Sequence, residues 1–181
     1  MHHNGGMPAP LARTVIDIVD RPFHAIWTPE DGVLRAAGFA TDVDPQTDTL
    51  VQRLAALAPE LVSRGIVDTP HGHIADALRA YDAGDVAALD TLSVAQPETP
   101  FRAEVWRALR RVPADRPVTY TELATLAGRP AAVRAAASGC ANNLIALVVP
   151  CHRIVRADGG LGGYLFGTDI KERLLRHEAA A

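Results

Sequence analysis

Apolar and polar residues alternate with a period of two early in the chain and with a helical period later. Thr14 to Val19 alternates β-branched and polar positions, as a half-buried strand does, and Phe23 to Trp27 and Val33 to Phe39 form two more strands. Pro29-Glu30-Asp31-Gly32 between them is a turn, because proline presets φ and glycine permits φ > 0. Helices are predicted near Thr49–Arg64 and over Ile74–Ala83, where Ile74, Leu78 and Tyr81 share a face. Residues 1–12 are Gly/Pro-rich and expected to fray, with Met7 as an alternative start to Met1. The polar, proline-containing stretch Ser93–Pro100 divides the chain, giving units of 13–95 and 96–181.

The second unit is punctuated more sharply. Thr99 is an N-cap with Pro100 at the first helical position, and Phe101, Val105, Leu109 and Val112 form one stripe that Pro113 terminates. Thr119-x-x-Glu122 is a capping box opening a helix over Tyr120–Ala127, which Gly128 stops. Pro130 is expected to open a second short helix through Cys140, making a candidate helix-turn-helix. That second helix is almost all small residues, with Arg134 standing out; it can approach another surface closely. The apolar run Leu144–Val149 reads as a buried strand leading into Pro150-Cys151-His152-Arg153. A glycine-rich loop, Asp158 to Tyr164, follows without the spacing of a phosphate-binding fingerprint. The closing helix, Asp169–Glu178, is expected to be capped by Thr168 and anchored by Ile170, Leu174 and Leu175.

With 48% hydrophobic and 22% charged residues among 181, the composition is that of a soluble globular protein. No apolar run is long enough to span a bilayer and no secretory signal is recognisable, so a cytoplasmic protein is expected. The two cysteines, Cys140 and Cys151, therefore read as free thiols. Without a Cys-x-x-Cys pair no thiolate zinc site is expected, and the pairs His2/His3 and His71/His73 read as solvated. The net charge of −3 hides an asymmetry: residues 1–100 balance to −8 and residues 101–181 to +5. All basic residues of the second half except Lys171 are arginine, which suits phosphate contact. A thiol is a strong nucleophile only as thiolate, so the histidine beside Cys151 is the natural base to examine.

Taken together, Phe101-x-x-x-Val105-Trp106, Val118-Thr119-Tyr120-x-Glu122-Leu123-Ala124, Arg134, Asn143, Pro150-Cys151-His152-Arg153, Tyr164, Lys171 and Leu174-Leu175-x-x-Glu178 resemble the O(6)-alkylguanine-DNA alkyltransferases. The resemblance covers about Pro100 to Glu178, and Cys140-Ala141-Asn142-Asn143-Leu144 is most similar to the bacterial adaptive-response type. It implies a small RNase H-like α/β N-terminal domain and a mostly helical, winged-helix-like C-terminal domain. It implies irreversible, single-turnover transfer of a methyl or alkyl group from O(6)-alkylguanine, with O(4)-alkylthymine as a further candidate substrate, to Cys151. His152 is implied as the base, reached through a water; Glu178 orients it, Tyr120 serves the leaving group, and Asn143 braces the loop. For double-stranded DNA, bound in the minor groove with the damaged base flipped out, the resemblance implies Arg134, Ala135, Tyr120, Thr119, Ser138 and Arg153. It places Tyr164, Leu165, Ile154, Cys140 and Phe166 around the substrate. No metal or cofactor is implied, and the protein is expected to be monomeric.

Departures from the pattern lie at Leu165-Phe166, where many members carry a Gly/Ser pair and where a narrower pocket is expected, and at Leu144, where others have proline. A non-catalytic alkyltransferase-like lesion binder is the main alternative, and the presence of Cys151 speaks against it. A cysteine hydrolase fits poorly because its nucleophile and base would be chain neighbours, and a plain helix-turn-helix regulator leaves Cys151-His152 unexplained.

Overall fold

Strand β1 (Leu11–Ile18) turns into β2 (Arg21–Thr28) through Val19 and Asp20, both at positive φ, and β2 pairs antiparallel with β3 (Val33–Phe39). Two consecutive left-handed residues match the twist of a two-residue hairpin. The turn is held from outside: the Val19 amide donates to Asp82 and Arg173 donates to the Val19 carbonyl. The protein is seen here in a computed structural model that describes residues 6–40 and 46–181. Helix α1 (Thr49–Leu57) and the short α2 (Pro59–Val62) lead to β4 (Ile66–Asp68), which adds in parallel to β1 and completes the order β3-β2-β1-β4. Helix α3 (His73–Asp82) and a 3-10 turn at Val86–Thr91 finish the first half.

Several expectations need adjustment. Leu11 and Ala12, expected to fray, pair with Ile66 and Val67 and are buried; residues 1–5, with His2 and His3, lie outside the described residues. The helix expected over 49–64 breaks at Ala58, because Pro59 cannot continue the hydrogen-bond ladder and instead starts α2. Asp48 caps α1 by accepting from the Leu50 amide, and its other oxygen meets Nδ1 of His24 at 3.2 Å in a fully buried pair.

The second half comprises α4 (Pro100–Leu109), β5 (Val118–Thr119), α5 (Tyr120–Leu126), α6 (Val133–Ala141), β6 (Ile154–Val155) and α7 (Thr168–Ala179). The caps at Thr99 and Thr119 are present, each accepting the amide three residues on. Helix α6 starts at Val133 rather than Pro130: Gly128 is left-handed, and the Ala132 amide closes a turn onto the Arg129 carbonyl before the helix begins. Helix α7 includes Thr168 as its first residue, so the N-cap is Gly167 and not the threonine.

The largest correction concerns Leu144–Val149. All six residues are buried, but they form no strand. Only Ile145 bridges to β3, opposite Ala37, and Leu147 turns the chain with φ 72°. Val94 bridges the same edge of β3 opposite Leu34. The edge of the N-terminal sheet is thus covered by the stretch around Val94 and by the segment leading to Cys151. One apolar core runs through both halves, joining Phe23 and Tyr81 to Trp106 and Leu174.

Candidate active site

Cys151 opens a single 3-10 turn, Cys151–Arg153, directly after the irregular segment. That segment is shaped by Asn143, which is buried and uses both ends of its amide. Its Nδ2 donates to the carbonyls of Val149 (2.8 Å) and Ile145 (3.3 Å) and lies 3.5 Å from Cys151 Sγ. Its Oδ1 accepts from the Ile145 amide and from Gln96 Nε2 at 3.0 Å, while Gln96 Oε1 accepts from the Leu144 amide. Arg53 of α1 donates to the Asn143 carbonyl at 3.1 Å. The side-chain amide replaces the ladder partners a strand would have supplied, so a buried irregular segment is affordable here.

His152 and Glu178 are both fully buried, with Nε2 to Oε1 at 2.8 Å. An ionised carboxylate only accepts, so Nε2 carries the proton and Nδ1 keeps its lone pair. Nδ1 is buried and has no protein partner. Arg153 grips the same carboxylate at both oxygens, at 3.0 and 2.9 Å, and also donates to the Val112 carbonyl. Tyr81 of α3 donates to Oε1 of Glu178 at 2.9 Å. Burial works to raise the Glu178 carboxyl, but the hydrogen bonds and charges of His152 and Arg153 outweigh it and hold it at about 2. Burial lowers the His152 imidazole below its ordinary range, with Glu178 pulling the other way.

The cysteine faces a cavity of about 250 Å³ whose lining includes Tyr120, Cys140, Tyr164, Leu165 and Phe166. Burial pushes the Cys151 thiol up; the Asn143 amide and the charges of Lys171 and Arg53 oppose this without overcoming it. Lys171, fully buried, donates to the carbonyls of Ile154 and Gly163 and so ties the cysteine turn to the glycine-rich loop. Gly162 has φ +75°, and a Cβ there would stand 3.2 Å from the Tyr120 hydroxyl, so the loop needs a glycine to wrap the tyrosine. Phe166 lies over Gly38 of β3, where a Cβ would come within 2.7 Å of its ring, and it packs edge-on against Phe39 and Tyr164. The Tyr164 hydroxyl is buried without a partner.

The structure therefore brings Cys151, Asn143, Tyr120, Cys140, Tyr164, Leu165 and Phe166 around one cavity, with His152 and Glu178 paired in the interior beside it. Ile154 is buried in β6 and does not line the cavity. Arg134, Ala135 and Ser138 are exposed on α6, while Ala136 and Gly139 are buried on its other side. A Cβ on Gly139 would fall 2.8 Å from Val105, so part of the small-residue pattern serves helix packing. Thr119 is half-buried at the α5 cap. Arg153 is a correction: its guanidinium is buried against Glu178 and the Val112 carbonyl rather than presented on the surface. Tyr81 and Arg53 from the first half, and Gln96 from the stretch between the halves, join the site without having been anticipated. Tyr81 carried the clearest signal, since a phenol on a buried helical stripe needs a partner for its hydroxyl.

Among the described residues no group of three or more His, Cys, Asp or Glu is placed to hold a metal, and no helix is long and apolar enough to cross a membrane. The sequence profile of the 6-O-methylguanine DNA methyltransferase DNA-binding domain matches residues 100–180. A methylated-DNA–protein-cysteine methyltransferase of Shigella flexneri is 35% identical over 168 residues, covering 93% of this chain and 97% of that protein. The Escherichia coli bifunctional transcriptional activator/DNA repair enzyme Ada is 52% identical over 81 residues, 45% of this chain and 23% of Ada. The solved structure of Mycobacterium tuberculosis OGT in complex with DNA superposes with a TM-score of 0.70 at 26% identity, covering 93% of each chain. A cysteine in a cavity, a buried histidine–glutamate pair beside it and near full-length similarity lead to one assignment: this chain belongs to the methylated-DNA–protein-cysteine methyltransferase family.

Proposed function

We propose that Cys151 is the atom-accepting nucleophile of this repair protein, which belongs to a family acting by direct alkyl transfer from DNA. The observation that carries the proposal is Cys151 lining a small cavity while the neighbouring His152 is paired with a buried carboxylate. The cavity of about 250 Å³ is below the size of drug-binding pockets, ~300–1,000 Å³, and suits one flat base. The Cys151 proton passes through a water to Nδ1 of His152, and Glu178 stabilises the imidazolium. Sulfur attacks the alkyl carbon, the S–C bond forms as the O6–C bond breaks, and the electron pair leaves on guanine. Tyr120 supplies a hydrogen bond or proton to that leaving group. The product is a thioether on Cys151, so each molecule acts once. O(4)-alkylthymine presents the same alkyl–oxygen bond.

DNA is the partner, and a base inside a duplex must be extruded to reach this cavity, at a cost of a few kcal/mol. The exposed face of α6, with Arg134, Ala135 and Ser138, and Thr119 at the neighbouring helix cap support docking in the minor groove, Arg134 filling the vacated stack. The unpartnered Tyr164 hydroxyl and the backbone at Cys151, Ile154 and Leu165 suit the base edge. Phe166, seated against the sheet, limits the pocket to small adducts. An antiparallel hairpin sheet joined by a parallel fourth strand supports an RNase H-like reading of 13–95, and α5–α6 with β5–β6 a winged-helix-like reading of 96–181. The protein acts as a cytoplasmic monomer. The test is label transfer from O(6)-[methyl-labelled] guanine duplex: wild-type protein becomes labelled once, and Cys151→Ala binds the duplex without label. Label retained by Cys151→Ala removes Cys151 from the mechanism.

A further inference from the structure

We infer that Tyr81, from the N-terminal half, is a positioning residue that sets the basicity of His152 through Glu178. This rests on the assignment of Cys151 and His152 above. The Tyr81 hydroxyl donates at 2.9 Å to Oε1 of Glu178, the same oxygen that accepts from Nε2 of His152 at 2.8 Å. Tyr81 is fully buried, and His177 fixes its helix end by donating from Nε2 to the Tyr81 carbonyl at 2.7 Å. Three donors thus share this oxygen, Tyr81, His152 and Arg153 through Nη2 at 2.9 Å, and each lowers the charge density that the oxygen offers the others.

Other charged and titratable groups also face the pair, and the His177 ring lies 5.1 Å from that of Tyr81. Arg153 binds both carboxylate oxygens, at 3.0 and 2.9 Å. Lys171 lies near enough to disfavour charge on His152 and is itself bonded to the Ile154 and Gly163 carbonyls. The Tyr164 ring stands 6.5 Å from that of His152, and Cys151 is the neighbouring residue in the chain. Tyr81 is a neutral donor to Glu178 and, unlike His152, takes no proton in the reaction, so its hydroxyl can be removed without changing the formal charge of the site.

Removing the Tyr81 hydroxyl returns charge density to Oε1. The carboxylate then holds the Nε2 proton more strongly and favours imidazolium, so His152 titrates at a higher pH. Alkyl transfer needs neutral His152, so its acid limb moves the same way. Tyr81→Phe keeps the ring and is the variant to use.

The experiment measures single-turnover methyl transfer at saturating O(6)-methylguanine duplex across pH, for wild type and Tyr81→Phe. In parallel, the His152 imidazole of the free proteins is titrated by nitrogen-15 NMR. The expected result is an upward shift of both the acid limb and the imidazole midpoint by about half a pH unit. A rate lowered by the same factor at every pH, with both midpoints unmoved, overturns the inference and leaves Tyr81 a packing residue. If wild-type protein takes no methyl on Cys151, the assignment of the nucleophile fails, and the inference falls with it.

Discussion

Oε1 of Glu178 lies 2.8 Å from Nε2 of His152, with neither side chain exposed. Glu178→Gln keeps the shape of the site but removes the charge that both His152 and the buried Arg153 use. We expect methyl transfer to slow by about 10²-fold or more, the scale of a lost acid–base partner. Stability should fall by about 3–5 kcal/mol, because Arg153 becomes an uncompensated buried charge. Single-turnover rates and urea unfolding measure the two. Loss of stability with an unchanged transfer rate would confine Glu178 to the fold.

The same pair gives the fold an acid limit. The Glu178 carboxyl drops from 4.5 to about 2 on folding, so its stabilising contribution is complete above ~4.5 and is lost as pH falls toward 2. His152 is also lowered by burial, so the unfolded chain takes up its proton first, from about 6.5 downward, and this also favours unfolding in acid. Unfolding free energy measured by urea should decline from near neutrality to strong acid. Glu178→Gln should flatten the lower part of the curve. A stability that rises as pH falls through this window would contradict the burial of the pair.

Cys151 is held protonated in the free protein, since burial raises its thiol above the ordinary range. The rate of alkylation by iodoacetamide should therefore rise only above pH 9, the ordinary value for this thiol. Repair of duplex should already proceed at neutral pH, because the proton leaves through His152 as substrate binds. An iodoacetamide midpoint below 7 would mean that a thiolate is already formed and that His152 is not needed as a base.

Arg134 is exposed on α6, away from the cavity lining. Arg134→Ala should slow transfer from duplex by about 10-fold or more, the effect of losing ~1.4 kcal/mol or more of help in extrusion. Transfer from free O(6)-methylguanine should be unaffected. Equal losses on both substrates would argue against a role in base extrusion.

Much of this molecule was legible in its residues. The caps at Thr99 and Thr119, the turn at Gly32 and the strand Val33–Phe39 follow from local chemistry, which needs no tertiary partner. Leu144–Val149 did not, because a buried apolar run looks the same whether a ladder or one asparagine amide satisfies its backbone. Arg153 misled for a similar reason: an arginine beside a DNA-acting cysteine suggests phosphate, and only the fold shows it on Glu178. Tyr81, Arg53 and Gln96 reach the site across 97, 90 and 47 positions of chain, distances that no local pattern encodes.

Of the two sulfurs that line the cavity, only that of Cys151 is expected to accept the alkyl group. Peptide mass analysis after incubation with excess O(6)-methylguanine duplex tests it directly, because Cys140 shares the cavity and serves as an internal comparison. One methyl per chain is expected, carried by the peptide containing Cys151, with Cys140 unmodified. A methyl on Cys140, or an unmodified Cys151 after exhaustive exposure, would contradict it.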